Sequence, residues 1–225
     1  MLTHILYWGL YLSFIRFYIP FETNDYKYNS FKIRLSSNLV SLTHALVTIG
    51  GSAYLLYLDK LNPINNFYCL TNEVMALMSF SSSYFIYDLI MMMFTNIDII
   101  FFLHHLLILM VYWITISYDY GTKFILLTIF WGEITNPLQI TWRISRALNY
   151  KKLEKYVFPL FSVSFIIVRT AILPFMHYSM LSSMFENKDY YIPTLGLTAL
   201  SILGNLGGMI WTRQIIKTFL LKRFF

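Results

Sequence analysis

Two adjacent histidines, His104 and His105, sit inside the apolar run F-F-L-H-H-L-L-I-L-M, with Asp98 just upstream of them. Histidine has an unperturbed pKa near neutrality, so it can take up and release a proton under physiological conditions. Paired with a carboxylate that orients the ring, it serves as a general base or as a nucleophile. Asp98 and His105 are seven positions apart and fall on nearly the same helical face. At about 1.5 Å of rise per residue, the pair lies roughly 10 Å along the helix from Asp98. His104 points about 100° away and can line the same space. The next apolar run carries Glu133, Asn136 and Gln139 in G-E-I-T-N-P-L-Q, and the one before the histidines carries Asp88. Asp88 shares a helical stripe with Ser81 and Tyr84, which makes the Tyr84 hydroxyl its expected partner. The expected catalytic set is therefore His104, His105, Asp88 and Glu133. The expected substrate-binding set is His44, Asp98, Asn136 and Arg143.

Metal chemistry fits this pattern poorly. The H-x-x-x-H spacing that sets two ligands on one helical face is absent, five histidines are too few for a multi-histidine di-iron site, and Cys69 is the sole cysteine. No metal is expected. Arg169, His177 and His4 read as packing or interface residues, Glu73 as a membrane-boundary residue, and Met91–Met93 as lipid-facing filler.

The elements that must position these groups are membrane helices. The chain of 225 residues is 57% hydrophobic and only 12% charged, with a mean hydropathy of +0.58. A soluble domain needs a far more charged surface. Ionisable groups are costly in hydrocarbon and by default face a bundle interior, so the polar residues above predict an intramembrane cavity. The pI near 9.3 does not point to nucleic acid, because no basic face with stacking aromatics accompanies it.

The apolar runs predict an all-α, single-domain bundle of about seven spans: Leu2–Ile19, Leu35–Leu58, Thr71–Thr95, Ile99–Ile116, Lys123–Thr141, Tyr156–Met180 and Thr194–Ile216. Phe21–Arg34 and Asp59–Leu70 read as connections and Tyr118–Gly121 as a tight turn. Arg143–Lys155 reads as a basic loop and Lys217–Phe225 as a tail. Ser37, Ser41, His44, Thr48 and Gly51 step by three or four and share one face. Small residues let membrane helices approach closely, the role expected of Gly204, Gly207 and Gly208. Pro137 has no amide proton, which deprives the Glu133 carbonyl of its helical partner and predicts a polar, kinked fifth span. Arg16 can snorkel from the end of the first span. The positive-inside rule puts the Arg143–Lys155 segment and the C-terminus in the cytosol and the N-terminus in the lumen.

With these residues placed, the chain resembles the TLC-domain family, which includes ceramide synthases and the translocating-chain-associating membrane proteins. The resemblance runs over roughly residues 32–217. It rests on S-N-L-V-S-L-T-H-A-L around His44, Y-F-I-Y-D-L at Asp88, F-L-H-H-L-L-I-L, I-S-Y-D-Y-G and I-F-W-G-E-I-T-N-P-L-Q-I-T-W-R. It implies a role in lipid metabolism or homeostasis in the endoplasmic reticulum. In ceramide synthases the histidine pair matched by His104 and His105 is needed for acyl transfer from acyl-CoA to a sphingoid amine. The most concrete expectation is thus an acyl-CoA-dependent lipid acyltransferase, with acyl-CoA as co-substrate and membrane lipids as partners. Where those enzymes carry H-D-x-S-D, this chain has Gly132-Glu133-Ile134-Thr135-Asn136, closer to the E-x-S/T-x-P pattern of the small TLC-domain proteins. The alternatives are a non-enzymatic lipid-binding regulator of membrane composition and a cargo or translocation accessory.

Overall fold

A computed structural model describes residues 2–18, 26–61, 70–94 and 98–222. Among these the chain is an all-α membrane bundle: α1 (Leu2–Tyr18), α2 (Tyr26–Leu61), α3 (Asn72–Phe94), α4 (Ile99–Tyr118), α5 (Thr122–Glu133), α6 (Asn136–Ala147), α7 (Lys151–Ile167), α8 (Leu173–Phe185) and α9 (Tyr191–Lys222). A π turn, Val168–Ile172, joins α7 to α8 without interruption, and a 3-10 turn, Lys188–Tyr190, precedes α9. Five segments are long and apolar enough to cross a bilayer: Leu35–Leu58, Asn72–Phe94, Ile99–Tyr118, Lys151–Phe185 and Lys188–Leu220. α1 adds a shorter apolar stretch, Leu6–Ile15. α5 and α6, at 12 residues each, are too short singly and follow one another through a turn at Ile134–Thr135.

Several boundaries differ from the sequence reading. α2 begins at Tyr26, inside the stretch taken as a connection. The Arg143–Lys155 segment is mostly helical: α6 runs to Ala147 and α7 starts at Lys151, with Asn149 in the left-handed conformation (φ 56°) making the turn. Here charge marks helix ends near a membrane surface rather than an extended loop. α9 likewise continues to Lys222 through most of the expected tail. The expected Tyr118–Gly121 turn is present, with Asp119 (φ 47°) and Gly121 (φ 85°) both left-handed. Most of the expected Asp59–Leu70 connection, the Arg16 side chain and Cys69 lie outside the described residues.

Six spans close into a ring. α2 packs on α3, α3 on α4 and α4 on α9; α9 packs on α7 and α8, α7 on α6 and α8 on α5; α5 and α6 return to α2. α1 stands outside this ring against α2 and α3. Its fully buried Trp8 packs on Phe80 and Tyr84, and Tyr11 Oη is 2.8 Å from Thr43 Oγ1. Large apolar side chains on the outward faces are exposed, including Leu103, Leu106, Met110 and Trp113 on α4 and Ile202, Leu206 and Met209 on α9. Hydrocarbon solvates such a surface.

Two backbone irregularities face inward. Pro137 cannot donate to Glu133, so the fifth span breaks there and α6 restarts at Asn136, as the sequence predicts. Pro174 likewise cannot donate to Thr170. The preceding turn widens so that Leu173 N–H reaches back five residues to Val168 O. π turns inserted in α-helices recur at functional sites, and this one carries Arg169.

Candidate functional site

The ring encloses a cavity of about 590 Å3. All eight residues expected at the site line it: His44, Asp88, Asp98, His104, His105, Glu133, Asn136 and Arg143. At one end the lining residues Asp98, Arg143 and Gln214 are exposed, while Tyr112, Phe124 and Leu200 at the other end are buried. The cavity therefore opens beside the start of α4. From Asp98 to Tyr112 it extends along α4 for about 21 Å, at roughly 1.5 Å per residue.

Each titratable group is placed by its own helix. Asp88, on the inward face of α3, puts Oδ2 3.3 Å from Nδ1 of His105 on α4. The approach is close, but its angle falls outside hydrogen-bond geometry, and the nitrogen has no other partner. The Tyr84 hydroxyl, the partner expected for Asp88, instead donates to Ser41 Oγ on α2 at 2.8 Å. Its ring stacks on His44 with centroids 3.9 Å apart. His104 turns from His105 toward α9, edge-on to Trp211 at 5.0 Å.

Glu133 stands with His44 rather than with the histidine pair. Its Oε2 accepts from Asn136 Nδ2 at 2.7 Å and lies 3.8 Å from His44 Nδ1. His44 Nε2 is 2.9 Å from Ser81 Oγ, which is 2.9 Å from Tyr112 Oη. A polar chain thus crosses the ring from α6 through α5, α2 and α3 to α4. Asp98 caps α4, with Oδ1 accepting from the amides of Ile100 and Phe101 at 3.1 and 3.3 Å. Arg143 lies over the Phe101 ring at the mouth, 5.9 Å from its centroid.

Two residues read as packing belong to this cavity. Arg169, from the π turn, donates through Nη2 to Gly132 O at 2.8 Å. His177 sits deeper: Asn205 Nδ2 lies 3.2 Å from its Nδ1, and Thr128 Oγ1 lies 3.3 Å from its Nε2. The Thr128 hydroxyl itself donates to Phe124 O at 2.8 Å. These bonds fit a neutral ring protonated on Nε2. Arg169 was recognisable in principle, since a cation in the middle of an apolar span ordinarily faces the bundle interior.

The glycines of α9 also act differently from expectation. A β-carbon at Gly204 or Gly207 would meet nothing within 4 Å. Gly204 and Gly208 border the cavity, and a β-carbon at Gly208 would make ordinary contact with the Arg169 stem, 3.6 Å from its Cδ. Small residues here make space for a cavity rather than a tight helix crossing. Gly51 on α2 does make a close approach, since a β-carbon there would come within 2.8 Å of Leu77 Cδ1.

Among the described residues, no group of three or more His, Cys, Asp or Glu side chains could hold a metal ion. Residues 34–217 match the family model of the TLC domain. The chain belongs to the TLC-domain family. The match covers the six-span ring from early α2 to late α9 and leaves out α1, which stands outside the ring. No curated protein matches the chain. As a multi-pass membrane TLC-domain protein, it sets His44, Asp88, His105, Glu133, Arg169 and His177 on the inner wall of the domain's ring.

Proposed function

We propose that this TLC-domain protein acts in membrane lipid metabolism as an acyl-CoA-dependent acyltransferase, with His105 and Asp88 at its chemical centre. The observation that carries the reading is the 3.3 Å approach of Asp88 Oδ2 to His105 Nδ1 inside a cavity wide enough for a lipid chain. The negative charge of Asp88, 3.3 Å away, favours a proton on Nδ1 and leaves Nε2 basic. Nε2 takes the proton from the amine or hydroxyl of the acceptor lipid as that group attacks the thioester carbonyl. The carbon–sulfur bond then breaks, and the departing thiolate takes up the proton. His104, against Trp211, shapes the wall on which the acyl group lies.

Charge supports a cytosolic mouth. Arg143 stands at the open end, and Arg146, Lys151, Lys152, Lys155 and Lys217 sit on the helix ends at the same pole. That pole suits the phosphates of CoA and the cytosolic leaflet. The N-terminus is then lumenal and the C-terminus cytosolic, in the endoplasmic reticulum. The acceptor lipid enters the ring from the bilayer.

One observation favours a second reading, a lipid-binding regulator without turnover. Glu133, His44, Ser81 and Tyr112 are engaged with one another, as in a packing network. Full-length protein in nanodiscs, given labelled acyl-CoA and mixed lipid acceptors, separates the two. Acyl transfer predicts a labelled lipid that H105A does not form. The regulator predicts bound lipid and equal silence from both proteins.

A further inference from the structure

Arg169 is a cation held within the bundle, with Glu133 on α5 as the acid that acts on its charge but no carboxylate in ion-pair contact with it among the described residues. Both close acid–base approaches among the described residues involve histidines: His44 with Glu133 and His105 with Asp88. Glu133 on the adjoining α5 accepts from Asn136 through Oε2. Of the guanidinium's donors, Nη2 is used on Gly132 O, and Nε is buried with no partner. The guanidinium also lies over the Phe165 ring, 5.2 Å from its centroid. With Nε unpaired and no acidic oxygen in contact, the guanidinium has donor capacity left over.

The surroundings are built to hold this side chain at the cavity wall. The π turn ahead of Pro174 sets its backbone, and its stem packs beside Gly208 on α9. Gly208 is six residues from Gln214 at the mouth, which places Arg169 about 9 Å into the cavity at roughly 1.5 Å per residue. The apolar span of α9 continues past the mouth to Leu220, so this level lies well inside the hydrocarbon. The wall beyond it includes Phe124, Ile129, Leu173 and Leu200, which suit an alkyl chain.

From this we infer that Arg169 is a binding residue for the carboxylate of a long-chain fatty acid, held with its head in the middle of the cavity and its chain along the apolar wall. A carboxylate matches one guanidinium in charge and planar geometry. It is also smaller than a substituted phosphate headgroup. The inference names a ligand for the proposed acyl-transfer cavity, and it needs only binding, not turnover.

The test uses full-length protein purified in detergent and loaded with radiolabelled palmitate, competed with unlabelled palmitate, methyl palmitate or hexadecyl phosphate. Wild-type protein should prefer palmitate to its methyl ester by about tenfold or more, the scale of a charge-assisted hydrogen bond. R169Q should reduce that preference to about twofold or less, with R169K in between. Equal competition by acid and ester in the wild type would overturn the inference with no variant needed. So would an undiminished preference in folded R169Q, or stronger competition by hexadecyl phosphate than by palmitate. Palmitate selectivity in a protein that shows no acyl transfer would sustain this site while removing the proposed reaction.

Discussion

The Asp88 carboxylate on α3 and Nδ1 of His105 on α4 stand 3.3 Å apart across a helix interface. The approach sets a negative charge beside the imidazole that α4 alone does not supply. D88N keeps the shape but replaces the carboxylate oxygen with a group that cannot stabilise a charged ring. Acyl-transfer turnover in D88N should fall by about a hundredfold or more, the scale of a lost acid–base contribution. Thermal unfolding in detergent should stay close to wild type. A rate assay and a melting curve on the same preparation check both halves.

Glu133 answers a different question. Its Oε2 accepts from Asn136 and faces His44, so its removal strips the chain across the ring of its central acceptor. E133A should destabilise the protein by about 1–3 kcal/mol, because partners buried with it are left unpaired. E133Q retains an oxygen acceptor and should lose less. Denaturation midpoints of the two variants, compared with wild type, give the order.

Two glycines should respond with opposite signs. A β-carbon at Gly51 would already crowd Leu77 Cδ1, whereas one at Gly204 meets nothing within 4 Å. G51V should therefore cost about 1–3 kcal/mol through overpacking. G204A should gain about 0.5 kcal/mol, since alanine restrains a helix that glycine leaves loose. Paired thermal melts read the difference directly.

Gly204 also borders the cavity, which allows the space itself to be tested. G204F should project a ring into the chamber, leave the melting temperature near that of wild type, and remove most of the lipid that co-purifies. Native mass spectrometry of the two proteins reports that lipid.

Much of this arrangement is legible in the chain. The apolar runs give the spans because hydrocarbon imposes length and composition on each helix, and Pro137 marks a break because its missing amide acts locally. That His44, Asp88, His104, His105 and Glu133 converge on one cavity follows from the cost of exposing them to lipid. Which acid meets which histidine is not legible. Helical phase tells which face a residue occupies, but partners are chosen by how α2, α3, α4 and α5 rotate against one another. That is why Glu133 meets His44 and Tyr84 bonds Ser41. Arg169 and His177 escaped the site assignment because helical phase within one span does not tell which of its faces meets the wall shared with α4 and α5. The widened turn at Val168–Ile172 depends on how the chain relaxes ahead of Pro174, which residue type alone does not specify.

The account turns on a lipid chamber in which His105, beside the Asp88 carboxylate, handles a proton. The most direct measurement is product formation by purified protein in nanodiscs given labelled palmitoyl-CoA and a mixture of amine- and hydroxyl-bearing lipids. The account predicts a labelled lipid from wild-type protein and its loss in both H105A and D88N, with all three proteins equally folded. Labelled product at the same rate from H105A as from wild type, or none from any of the three, would contradict it.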